Sequence, residues 1–180
     1  MKNNSLQNMV RTALLAALSL VLMNIETPPL FGTPFLKLDL ADVPAALAGL
    51  AYGPISGLLV VLIKNMTHLL FTTSAGIGQL ANLLYGSILV LSISLSARIK
   101  LLKKPTLNSI ITGAFGTIIM TIAAYFINLH VIFPMYTLFM PMETLLAFLP
   151  AVIVFNMTKG LIVTFISVLL YNRLKNFLNG

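Results

Sequence analysis

The chain contains no cysteine. Disulfides, thiolate zinc sites and cysteine nucleophiles are therefore excluded. Two histidines alone make a poor metal site. There is no G-x-x-x-x-G-K-[ST] loop, so the chain has no P-loop for nucleotide hydrolysis. No H-E-x-x-H is present, and no serine sits in a G-x-S-x-G elbow. Charge is also scarce. Only 8% of the residues are charged, against about 25% in a soluble domain. So few charges cannot cover a water-facing surface.

What remains is apolar: 58% of the residues are hydrophobic and mean hydropathy is +0.99. Lipid is the expected solvent for much of the chain. Six spans of about 20 residues would use about 120 residues. The expectation is an all-α integral membrane protein, a bundle of six transmembrane helices forming one domain over residues 1–180.

The spans are read from apolar runs and their punctuation. Span 1 covers about Val10–Ile25 and stops at Pro28–Pro29. A basic start before an apolar core also fits a signal peptide, but no small-x-small cleavage site follows. Span 2 opens at Asp39 or Asp42 and runs to Tyr52; it is short, so it tilts or sits partly inside the protein. Gly53–Pro54 makes a turn into span 3, Ile55–Phe71. Span 4 covers Gln79–Ala97. Span 5 covers Asn108–Asn128, with apolar residues continuing to Pro134. Span 6 covers Phe148–Tyr171.

Charge gives the orientation. With both termini cytoplasmic, Lys2, Arg11, Arg98, Lys100, Lys103, Lys104, Arg173 and Lys175 all fall inside, and only Lys37 falls outside. This is the positive-inside pattern. It accounts for the net charge of +7 without a nucleic-acid partner, because the charges flank spans rather than forming an aromatic-interleaved patch. All four acidic residues, Glu26, Asp39, Asp42 and Glu143, fall on the outer side.

Few residues here could carry chemistry. Lys159 lies within span 6, where a lysine costs about 2.5–3.5 kcal/mol on insertion scales. It needs a partner or a wet cavity, and Asn156 shares its helix face. Lys64 and His68 lie four apart on span 3, and Lys64 could pair with Asp39 or Asp42. Gln79, Asn82 and Gly86 form a polar, small stripe on span 4, either helix–helix glue or cavity lining. Asp39 and Asp42 stand where one of them would cap a helix. Asn128 lies near the outer end of span 5, before His130 and Tyr136. Small residues recur every four positions at Ala13 and Ala17, and at Ala41, Ala45, Gly49 and Gly53; the second series reads as packing within the chain.

Several runs carry a resemblance. They are Leu36-Lys37-Leu38-Asp39-Leu40-Ala41-Asp42-Val43-Pro44-Ala45, Tyr52-Gly53-Pro54-Ile55-Ser56-Gly57, Ile63-Lys64-Asn65, Ala81-Asn82-Leu83-Leu84-Tyr85-Gly86, Ile127-Asn128 with Phe133-Pro134-Met135-Tyr136, and Phe155-Asn156-Met157-Thr158-Lys159-Gly160. In this order the chain resembles the substrate-binding S components of energy-coupling factor (ECF) vitamin transporters, and among them the riboflavin-binding subfamily. Val154 departs from the Pro usual there before Phe-Asn, and His130 departs from an aromatic or aliphatic residue.

The resemblance implies a prokaryotic, multi-pass protein of the cell membrane that captures a vitamin at its outer side. It implies as partners a transmembrane coupling subunit and two ATPase subunits. Riboflavin would be a transported ligand and not a resident cofactor. Ligand contacts would come from Asp42, with Asp39 as a second candidate, from Asn128, and from Asn156 with Lys159; Lys64 and Asn82 are further candidates. Ala13 and Ala17 match the Ala-x-x-x-Ala by which such proteins dock on the coupling subunit. The alternatives are an S component for another vitamin or cofactor precursor, or an intramembrane enzyme or assembly factor using Asp39, Asp42, His68 and Lys64.

Overall fold

A computed structural model describes residues 4–72, 75–96 and 103–179. Lys2, Arg98 and Lys100, which entered the charge argument, lie outside the described residues. The elements in order are α1 (Asn4–Met23), α2 (Asp42–Tyr52), α3 (Pro54–His68, extended by a 3-10 turn, Leu69–Phe71), α4 (Ile77–Ser96), α5 (Pro105–Ile127), a π segment (Asn128–Ile132), α6 (Phe133–Tyr136), α7 (Met142–Ala147) and α8 (Leu149–Asn179). Among the described residues every regular element is helical.

Five stretches are long and apolar enough to cross a membrane: Leu6–Met23, Pro54–Phe71, Ile77–Leu95, Pro105–Tyr136 and Leu149–Asn176. The expected second span is different. α2 has 11 residues, about 16 Å at 1.5 Å per residue, against a hydrocarbon core of about 30 Å. It is buried continuously from Asp42 to Leu50 and packs against α1, α3, α4 and α8. The other helices thus wrap a short central one.

Close approach to α2 is possible because its neighbours are small. A Cβ on Gly57 would lie 3.0 Å from the Ala45 carbonyl and 3.1 Å from Gly49 Cα, so α2 and α3 meet backbone to backbone. A Cβ on Gly49 would overlap Ser94 of α4. The expected packing of the Ala41–Gly53 series within the chain is what is seen. The seam of α5 and α8 is built likewise: Gly113 faces Thr164, and Gly160 faces Thr117. Lipid tails supply no hydrophobic drive between helices, so such contacts hold the bundle. Several hydroxyls in the helices are satisfied locally: Thr12, Ser92, Ser94, Thr117 and Thr121 each donate to the carbonyl four residues earlier.

α5 runs beyond its expected end. Pro134 has no N–H and its ring crowds the preceding turn. The chain absorbs this by widening ahead of the proline, where the Phe133 N–H bonds Asn128 O, five residues back. Helix then resumes to Tyr136. Leu30, Leu36 and Leu38 of the α1–α2 connection, Ile77 at the start of α4, and Met140, Met142 and Leu145 pack into one apolar cluster, so these parts of the chain gather at one end of the bundle. At the other end Arg11 donates to the Leu178 carbonyl at 2.8 Å, tying α1 to the last turn of α8.

Candidate ligand cavity

A cavity of about 100 Å³ opens at the end where residues 24–41 lie. Its apolar wall includes Phe35 and Leu36 from the α1–α2 connection, Leu89, Met120, Ile132, Val152 and Phe155. Its polar groups are Lys37, Asp42, Asn82, Tyr85, Asn128, Tyr136, Asn156 and Lys159.

The α1–α2 connection is itself structured. The Thr27 N–H bonds Leu38 O at 2.9 Å, and Leu30 N–H bonds Leu36 O at 2.8 Å. Thr33 Oγ1 accepts from the Leu36 N–H at 3.1 Å. Phe31 and Gly32 turn the chain with positive φ, 54° and 69°. Lys37 pairs with Glu26 at the surface. The strap thereby brings Phe35 against Tyr136 and Phe148.

Below the cavity lies a cluster of four charges. Lys64 Nζ bonds Asp42 Oδ1 at 2.6 Å and Asn82 Oδ1 at 3.2 Å. Lys159 Nζ bonds Asp39 Oδ2 at 2.8 Å and lies 3.5 Å from Asp42 Oδ2. Lys64 is fully buried, and Asp39, Asp42 and Lys159 are each under 10% exposed. Two carboxylates and two ammonium groups sum to zero, which removes most of the cost of placing either lysine inside the bundle. Gly86 makes room: a Cβ there would stand 2.9 Å from Asp42 Oδ1.

Of the seven candidate ligand residues, Asp42, Asn82, Asn128, Asn156 and Lys159 line the cavity, and Asp39 and Lys64 do not. Asp39 is committed twice within the protein: its Oδ1 accepts the Ala41 N–H at 2.8 Å, and its Oδ2 holds Lys159. The expectation that one Asp only caps a helix is not met: no side chain caps α2, whose N-cap is Ala41, and Asp39 makes a local turn to the Ala41 N–H while pairing with Lys159. Lys64 stands behind Asp42 and Asn82 and steadies both. Asn156 Nδ2 bonds the Val152 carbonyl at 2.9 Å, and Asn128 Nδ2 bonds the Ala124 carbonyl at 2.7 Å.

Tyr85, which carried no role in the sequence reading, accepts at its hydroxyl oxygen a hydrogen bond from Asn128 Nδ2 at 2.7 Å. No local pattern marks it, because its partner lies 43 residues away. Gln79 lies outside the cavity lining and instead joins Thr72 at 2.9 Å and His68 Nδ1 at 2.9 Å. The four residues of the enzyme alternative, Asp39, Asp42, His68 and Lys64, do not converge on the cavity; only Asp42 reaches it. On α1, Ala13 and Ala17 are exposed while Thr12, Ala16 and Ser19 turn inward.

Residues 7–171 match the family model of the ECF transporter, substrate-specific component. The chain belongs to this family. It is 36% identical over 98% of its length to the riboflavin transporter RibU of Staphylococcus aureus (strain TCH60), covering 96% of that protein. It is 34% identical over 94% of its length to the riboflavin transporter FmnP of Bacillus subtilis (strain 168), covering 92% of it. Among solved structures it is similar to an S component of a bacterial ECF transporter, with TM-score 0.82 and 32% identity, covering 98% of this chain and 99% of that one. As an ECF substrate-specific component with several membrane-length helices, the chain is a multi-pass membrane protein.

The charge cluster of this S component yields a prediction. Lys64→Met removes a cation from a buried pair and strands charge at Asp42, at about 3–5 kcal/mol. Lys64→Met combined with Asp42→Leu restores neutrality. Thermal unfolding in detergent is expected to show the double variant more stable than Lys64→Met alone. Additive losses would mean that the pair is not coupled.

Proposed function

We propose that this chain is the membrane-embedded substrate-binding subunit of an ECF-type importer, and that its cavity captures riboflavin at the outer face of a bacterial cell membrane. The observation that carries this is the cavity itself, in a chain alike over nearly its whole length to two riboflavin transporters. A flavin has a flat apolar ring system, an imide edge and a polyol chain. The ring suits walls of Phe35, Leu36, Leu89, Ile132 and Phe155. The imide edge suits the amide of Asn128. The polyol suits Asp42, Asn82, Asn156 and Lys159, all within the same cavity. Riboflavin is then cargo, and the protein needs no resident cofactor.

Binding requires a free outer surface and no covalent chemistry. The chain releases its ligand to the cell interior only if work is done on it. It has no P-loop, so the work enters from a coupling subunit and two ATPases, through a helix contact. Ala13 and Ala17 form one exposed, shallow stripe on α1. On this reading α2 with its preceding strap counts as a sixth crossing beside the five membrane-length stretches, and both termini lie in the cytoplasm. The exposed Lys103, Lys104, Arg173 and Lys175 then face inward, as the positive-inside pattern requires.

Three outcomes are expected. Asn128→Ala leaves ligand polar atoms unpaired, at about 1–3 kcal/mol, roughly a five- to 150-fold loss of riboflavin affinity by fluorescence titration; an unchanged affinity would remove Asn128 from the site. For orientation, the cysteine-free background allows Phe31→Cys and Lys103→Cys to be compared in intact cells. A membrane-impermeant thiol reagent added outside labels the first and spares the second, and the opposite result would invert the topology. For the partner contact, Ala13→Leu with Ala17→Leu fills the stripe. Riboflavin affinity and melting temperature should stay near wild type while co-purification with the coupling subunit and uptake are lost. Retained complex and uptake would assign docking to another surface.

A further inference from the structure

One contact in the cavity has a direction set by chemistry alone. Asn128 Nδ2 lies 2.7 Å from the Ala124 carbonyl oxygen and 2.7 Å from Tyr85 Oη. A carbonyl oxygen only accepts, so the atom facing Ala124 is the amide nitrogen, and the orientation of the whole side-chain amide follows. Its second N–H is directed at Tyr85 Oη, where the phenolic oxygen accepts. Both N–H groups of Asn128 are thus used inside the protein. Its carbonyl oxygen Oδ1 is the remaining hydrogen-bonding atom, on a residue that lines the cavity.

We propose that Tyr85 is a positioning residue that sets selectivity: with the Ala124 carbonyl it pins the amide of Asn128 so that the cavity meets an acceptor, and so selects a ligand with an N–H donor at that point. This rests on the riboflavin reading and deepens it. A flavin ring presents an imide N–H between two carbonyls, which matches an isolated acceptor. A ligand offering a lone pair there would face the lone pairs of Oδ1. Tyr85 acts through Asn128 and is half-buried beside it, between α4 and the π segment that widens α5. The π segment begins at Asn128 itself, so the backbone irregularity and the pinned amide occur at one residue.

The alternative is that the Tyr85 hydroxyl merely fills space. The test is a cycle between protein and ligand on the purified full chain. Riboflavin and 3-methylriboflavin, in which the imide N–H is replaced by N–CH₃, are titrated by flavin fluorescence against wild type and Tyr85→Phe. Wild type should prefer riboflavin by at least about tenfold. Tyr85→Phe should weaken riboflavin by about five- to tenfold while 3-methylriboflavin changes by less than about twofold, so the preference narrows. Equal losses for the two flavins would overturn the positioning role, since a packing defect does not distinguish an N–H from an N–CH₃. If Tyr85→Phe does not fold, wild type still decides: equal affinity for both flavins overturns the donor selection. Wild type that binds neither flavin overturns the riboflavin reading, and this proposal with it, which separates that failure from a failure of Tyr85 alone.

Discussion

The structure depends on neutralising two lysines inside a helical bundle. Lys64 on α3 and Lys159 on α8 each need a carboxylate, and both carboxylates come from the short stretch Asp39–Asp42. Meeting that need fixes three other things. The α1–α2 connection must descend into the bundle to deliver Asp39. α2 must begin at Asp42, which makes it short and central. α4 must present Gly86 rather than a larger residue, so that Asp42 can sit against it. The cavity is what is left above this cluster, roofed on one side by the strap that carries Phe35 and Leu36.

The division of labour among polar residues follows from this frame. Asp39 and Lys64 hold; Asp42 and Lys159 hold and also face the cavity. Asn128 and Asn156 each use an amide N–H on the carbonyl four residues earlier in their own helix. That habit is common to apolar helices, where an unpaired donor is costly. Here it has a consequence, because it turns the oxygen of a pinned amide into the spare group. The outer surfaces of α3 and α5 are by contrast apolar, with Leu59, Leu62, Ile63, Ile118, Ile119 and Ile122 exposed, and that of α1 carries the Ala13 and Ala17 stripe. In the proposed function, capture in the cavity and energising at a helix surface are thus separated in space.

Much of this was legible in the residues. The cost of an intramembrane lysine pointed at Lys64 and Lys159, and their shortage of partners pointed at Asp39 and Asp42. Helix positions followed from apolar runs and proline punctuation, and the ordered motifs pointed to the family. Other features were not legible, each for a physical reason. Which Asp faces the cavity depends on a three-residue offset just ahead of a helix, where one carboxylate both accepts a backbone N–H and pairs with a lysine. Lys64 looked like a ligand group because burial behind Asp42 is a tertiary fact. The continuation of α5 to Tyr136 was masked by Pro134, which usually ends a helix and here is absorbed by a π turn. Tyr85 is one aromatic residue in an apolar helix until α5 brings Asn128 to it.

The central claim is that this chain alone, without ATP or partner subunits, holds a flavin in its outer cavity. The most direct measurement is to produce the chain in cells lacking the coupling module, purify it in detergent, release bound small molecules by denaturation, and identify them by absorbance and mass. The account predicts riboflavin at close to one per chain, lost when Asn128 is replaced. A different compound at that stoichiometry, or a folded protein that neither retains nor rebinds riboflavin, would contradict it.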